Sequence, residues 1–137
     1  VAEALVARDL GVHAMHDVTE GGVLGAVYEM AEAAGVGVEI WREAIPLLPE
    51  TRAVCEALDV DPLRLIGSGA MLMAADDGAR LVRELERAGI EAKVIGKALG
   101  SSYRVLLPRP RAPGSEATAI EPPEGDELWR LLEALKG

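Results

Sequence analysis

The run Met15-His16-Asp17-Val18-Thr19-Glu20-Gly21-Gly22 concentrates side chains able to do chemistry, and its neighbours place it between a strand and a helix. Free N–H groups and the positive end of the helix dipole gather at such a junction, which suits a phosphate or another anion. Two consecutive glycines let a ligand approach the backbone closely. Asp17 could instead hold a metal ion or a ribose hydroxyl at the strand end. Thr19, Gly21 and Gly22 join it as candidate binding residues. A plainer reading stands beside this one. Asp17 with Glu20 three residues on forms a capping-box variant, Thr19 can itself cap the helix, and the Glu20 carboxylate opposes a nearby anion.

Other candidates are weaker. His13 and His16 fall on opposite faces of a strand, and His13 lies roughly 13 Å along it from Asp17, so no metal-ligand set is predicted there. Gly67-Ser68-Gly69 opens an apolar strand and reads either as a turn needing positive φ or as a lip bringing Ser68 and backbone N–H groups to a ligand. Cys55 has no flanking histidine and reads as a small buried thiol. Arg104, Arg109 and Arg111 form the one basic concentration and read as a solvated loop.

The elements that must position these residues follow from periodicity. Val1–Leu10 reads as a short helix stopped by Gly11, and Val12–Val18 as a strand. Gly22–Ala34 carries Leu24, Val27, Tyr28 and Ala31 at helical spacing, with Gly35 as its C-terminal cap. Val36–Trp41 alternates as a half-buried strand, and Pro49–Leu58 is helical with Pro49 in the first turn. Ala70–Ala75 is an apolar strand, and Asp76 or Asp77 caps a helix burying Leu81, Val82, Leu85 and Ala88 before Gly89. Glu91–Leu99 and Ser102–Leu107 read as strands around Gly100. Pro108–Gly125 reads as a surface connection, and Asp126 caps a last helix striped by Leu128, Leu131, Leu132 and Leu135. The fold class is therefore α/β or α+β, a mixed sheet flanked by helices.

Composition bounds the function. The 137 residues are 50% hydrophobic and 27% charged, a globular balance sized for one domain. With 14 Lys+Arg against 23 Asp+Glu, the formal charge of −9 repels phosphate backbones and anionic lipid, so neither nucleic acid nor membrane is an expected partner. One cysteine and the lack of a signal or spanning segment fit a cytoplasmic protein. The absence of Asn and Gln beside abundant Glu and Arg fits a thermophile.

His13 to Leu24 resembles the Asp-x-Thr-x-Gly-Gly-Leu segment that opens the C-terminal domain of aminoimidazole-ribonucleotide-synthetase-related proteins, the PurM/HypE-like superfamily. Ala34-Gly35-Val36-Gly37-Val38-Glu39-Ile40, Ala44-Ile45-Pro46, Arg52-Ala53-Val54-Cys55, Gly67-Ser68-Gly69-Ala70-Met71-Leu72 and Val94-Ile95-Gly96 are similar to HypE-like members. The resemblance covers about Val1 to Leu107. It implies a PurM C-terminal-domain-like sandwich with partial ferredoxin-like topology over residues 1–107, followed by the connection 108–125 and a helix 126–137 packed on the same domain. It also implies ATP-dependent chemistry, with Mg2+, in a cleft between two domains. Asp17, Thr19, Gly21 and Gly22 would form one wall of the nucleotide or acceptor site, with Gly67, Ser68 and Gly69 opposite. Asp17, the candidate catalytic residue, would orient an acceptor. The N-terminal ATP-binding domain of the family has no counterpart here, so the chain reads as a domain fragment that binds no cofactor and shows no turnover alone. A homodimer is a further expectation, since family members pair. The ending Ala134-Leu135-Lys136-Gly137 lacks the terminal cysteine of HypE, so hydrogenase maturation is not carried over from the resemblance. The alternative is a non-catalytic small-molecule-binding or regulatory α/β module.

Overall fold

The computed structural model describes residues 10–19, 21–65 and 70–123. The expected helices at 1–10 and 126–137 and the turn at 67–69 thus lie wholly or almost wholly outside the described residues.

Strand β1 (Val12–Asp17) pairs antiparallel with β3 (Met71–Ala75), with Met15 opposite Met73 and Asp17 opposite Met71. A bulge between Val12 and Ala14 lets β1 carry one more residue than its partner. Helix α1 (Gly22–Ala34) follows β1 and buries Leu24, Val27 and Ala31, three of the four apolar positions its periodicity nominates. Gly35, left-handed at φ 67°, ends it, and its N–H donates back to the carbonyls of Ala31 and Glu32. Strand β2 (Gly37–Trp41) lies inside a four-stranded mixed sheet of order β4-β2-β5-β6. It runs antiparallel to β4 (Gly96–Leu99) and parallel to β5 (Arg104–Leu107). Helix α2 (Pro49–Leu58) and a 3-10 turn (Pro62–Arg64) lead back towards β3, and helix α3 (Gly78–Arg87) follows β3 with Asp77 Oδ1 accepting from the Arg80 N–H at 3.0 Å.

The main core joins α1 to the four-stranded sheet and the 3-10 turn through Leu24, Val27, Ile40, Ile45, Leu63, Leu106 and Ile120. Leu72 packs on this core, whereas its neighbours Met73 and Ala75 pack with Leu81 and Leu85 of α3. β3 is therefore covered on both faces, and the two strand–helix–strand passages β1–α1–β2 and β3–α3–β4 meet through their antiparallel first strands. This is a mixed sheet flanked by helices.

Two strand expectations are corrected. The strand anticipated at Glu91–Leu99 begins only at Gly96, because β2 turns into a 3-10 helix at Arg42–Ala44 and offers residues 91–94 no further ladder; the Trp41 N–H reaches the Ile95 carbonyl at 2.8 Å as the last rung. Within the supposed connection 108–125, Thr118–Ala119 forms β6, antiparallel to β5, and Ile120 enters the core. No helix among the described residues is long and apolar enough to cross a membrane.

Candidate functional site

The chain turns from β1 into α1 through an exposed Asp17, a buried Val18 and an exposed Thr19. Gly21 at φ 83° and Gly22 at φ 66° then carry the backbone through the left-handed region into the helix. The Gly22 N–H donates to the Thr19 carbonyl at 3.1 Å, and the Gly25 N–H to the Gly21 carbonyl at 3.1 Å. Gly21 is the N-cap, and among the described residues no side chain caps the helix. Thr19 is therefore not the N-cap, which corrects that expectation, while Glu20 of the expected Asp17–Glu20 capping box lies outside the described residues. The Gly22 amide, engaged by Thr19, shapes the corner instead of presenting a donor.

Gly22 faces the backbone of the 3-10 turn. A Cβ on it would run into the carbonyl oxygens of Leu63 and Leu65 and come within 2.8 Å of the Arg64 carbonyl carbon. Asp61 holds that turn in place, accepting from the Leu63 N–H at 3.0 Å and pairing with Arg42 at 3.3 Å. On the other side the Val18 N–H donates to the Ala70 carbonyl at 3.1 Å. Leu65 and Ala70, the two ends of the segment containing Gly67, Ser68 and Gly69, are thus both anchored at the Asp17–Gly22 corner.

Arg64 is a residue that sequence reasoning missed. Its Nη2 donates to the Glu121 carbonyl at 3.1 Å, while its Nη1 is shut from solvent with no hydrogen-bond partner. A buried guanidinium N–H without an acceptor is uncommon and points to water or an anion. Nothing in the local pattern sets this arginine apart, because its hydrogen-bond partner, Glu121, is 57 positions away in sequence.

The two histidines engage opposite ends of β1, and only His16 lies at the corner. His16 Nδ1 donates to the Asp17 carbonyl at 2.6 Å and its Nε2 meets Glu29 of α1 at 2.8 Å, whereas His13 meets Asp76 at 2.8 Å. The basic concentration is partly structural. Arg104 pairs with Glu32, donates to the Val36 carbonyl at 3.3 Å and stacks 5.1 Å from the Tyr28 ring, so it fastens β5 to the end of α1. A hollow of about 200 Å³ lies elsewhere, against β5 and β6, lined by Arg42, Leu107, Glu116 and Thr118 among others and by none of the corner residues.

Cys55 is 2% exposed, and burial first, with Asp61 second, pushes its thiol up from the ordinary range. The folded chain should therefore react with a disulfide reagent at pH 8 far more slowly than the chain in urea. By linkage, this thiol favours the folded state at neutral pH, and that contribution fades as pH climbs above the ordinary thiol range. Equal reaction rates in native buffer and in urea would contradict it.

The family model described as AIR synthase related protein, C-terminal domain, matches residues 1–107. A carbamoyl dehydratase HypE of Rhodobacter capsulatus is 36% identical over 131 residues, which are 93% of this chain and 38% of that protein. A hydrogenase expression/formation protein of Methanocaldococcus jannaschii is 33% identical over 109 residues, 77% of this chain and 32% of that protein. The crystal structure of Escherichia coli HypE superposes with a TM-score of 0.79 at 30% identity, covering 95% of this chain and 42% of that one. The chain thus spans between 32% and 42% of the length of these relatives.

Proposed function

We propose that this chain, which belongs to the family of AIR synthase related proteins through their C-terminal domain, forms one wall of a nucleotide or acceptor cleft in an ATP-dependent, HypE-like enzyme. Asp17 and Thr19 face the cleft, Gly21 and Gly22 set its shape, and Gly67, Ser68 and Gly69 line the opposite side. The observation that carries this reading is the convergence at one corner of β1, the 3-10 turn and the start of β3, with Arg64 of that turn keeping one guanidinium nitrogen shut from solvent and unpartnered. Such a group accommodates an anionic oxygen.

ATP and Mg2+ fit this arrangement only in part. Arg64 offers a positive charge, and Asp17 an exposed carboxylate able to orient an acceptor. Among the described residues no three His, Cys, Asp or Glu side chains cluster to hold a metal. In this reading the metal and the triphosphate are held mainly by the N-terminal domain that the family resemblance implies. When bound, ATP supplies the phosphoryl group that activates an amide-type oxygen; this chain orients and encloses the acceptor. The names of the relatives, carbamoyl dehydratase and hydrogenase expression/formation protein, support hydrogenase maturation as the setting.

The test is reconstitution. The chain alone should show no ATP turnover with Mg2+, and mixing it with a separately produced N-terminal domain should restore turnover. Asp17→Ala should lower that turnover at least tenfold (~1.4 kcal/mol in the barrier) without moving the unfolding midpoint of the chain. Turnover by the chain alone, abolished by Asp17→Ala, defeats the reading. Folded partners that together gain nothing favour the regulatory binding module instead.

A further inference from the structure

The peptide group joining Asp17 to Val18 is held at both of its polar atoms. Its carbonyl oxygen accepts from His16 Nδ1 at 2.6 Å, and its N–H donates to the Ala70 carbonyl at 3.1 Å, just before β3. A planar group tied at both ends fixes ψ of Asp17, and with it the direction in which the Asp17 side chain leaves the main chain. The ring that makes the first bond is held in turn, because its Nε2 meets the Glu29 carboxylate of α1 at 2.8 Å. Across the ladder His16 stands opposite Leu72, which packs on the main core. Neighbouring residues of a strand point to opposite faces, so the imidazole acts on Asp17 through the main chain.

We propose that His16, braced by Glu29, is a positioning residue for Asp17. This role rests on the proposed place of Asp17 in the cleft. A carbonyl oxygen only accepts, so the proton of the first bond sits on Nδ1, and the carboxylate of Glu29 holds the ring from its other nitrogen. The side chains of the pair are 31% and 52% exposed, so the contact adds little to folding. Its leverage on a reacting group is larger, because small misplacements of such a group are costly to a rate. The brace also ties the aim of Asp17 to α1, the helix whose first residue stands against the backbone of residues 63–65. His13 provides the contrast. It meets Asp76 at the far end of β1, with both side chains in solvent.

Two isosteres test this. Asparagine places its amide nitrogen where histidine carries Nδ1, and glutamine where histidine carries Nε2, so they separate the bond to the main chain from the bond to Glu29. In nuclear magnetic resonance of the full chain, His16→Ala and His16→Gln should move the Asp17 carbonyl carbon upfield and speed exchange of the Val18 amide. His16→Asn should reverse both changes. In the mixture reconstituted with the N-terminal domain, Mg2+ and ATP, His16→Ala should lower kcat roughly fivefold with little change in KM for ATP. His16→Asn should recover more than half of that loss, and His13→Ala should leave kcat as it was. Because His16 acts through Asp17, His16→Ala should cost nothing further in an Asp17→Ala background. An unmoved Asp17 carbonyl in His16→Ala, equal losses in His16→Asn and His16→Ala, or additive losses with Asp17→Ala overturn the proposal and leave the cleft reading standing. Full turnover in Asp17→Ala, or a mixture that turns over no ATP, defeats the cleft reading and this role with it.

Discussion

Gly22→Ala costs this chain about 3–5 kcal/mol of folding free energy, a large part of the ~5–15 kcal/mol that holds an ordinary domain together. Part of the loss is conformational, because φ is 66° and an L side chain in the left-handed region costs roughly 1–2 kcal/mol. The larger part is steric. The new methyl group would overlap the carbonyl oxygens of Leu63 and Leu65, which are backbone atoms and cannot swing aside as a side-chain tip does. Neither partner can retreat freely: α1 is anchored by Leu24 at 3% exposure and Val27 at 1%, and the turn by Leu63 at 0%. Gly35→Ala is the internal control. Its φ is 67°, but a Cβ there meets nothing within 4 Å, so only the conformational penalty applies. Urea midpoints of the two variants separate the contributions. A Gly22→Ala midpoint no lower than that of Gly35→Ala would show that the turn yields and that the corner is not closely packed.

That contrast also explains which parts of the molecule were legible in the sequence. Helix α1 and its Gly35 cap depend on spacing and on one left-handed residue, both local properties, and both are present as read. The glycine pair was legible as a place where something approaches the backbone closely, but not as to what. At Gly22 the visitor is the chain itself, at residues 63–65, some forty positions away in sequence and therefore outside any periodic pattern. Arg64 escaped notice for the same reason, since its hydrogen-bond partner Glu121 is equally remote in sequence. β6 escaped because a strand of two residues has no alternation to detect, and its identity comes from the partner it finds in Val105 and Leu106. Of the candidate site, the strand leading to Asp17 was legible to within one residue of its end. The closeness of Leu65 and Ala70 to that corner was not, because it rests on contacts between segments distant in sequence.

Leu63→Ala should be nearly as damaging, at about 2–5 kcal/mol, and it probes the same junction from the other side. Leu63 is fully buried in the cluster that links α1 to β2, β5 and Ile120, and its position is fixed by the hydrogen bond from its own N–H to Asp61. A backbone held this way relaxes poorly around the lost side chain, so the cost belongs in the upper half of that range. The two substitutions then meet in a double-mutant cycle. If the Gly22→Ala methyl group expels the turn, Leu63 has already left the core, and removing its side chain costs much less in that background. The double variant, measured in a stabilising osmolyte, should fall short of the sum of the singles by at least about 1 kcal/mol. Strict additivity would mean that the clash is absorbed within α1 and that the turn carrying Arg64 stays where it is. Coupling would mean that the glycine is what allows the backbone of residues 63–65 to stand against the start of α1.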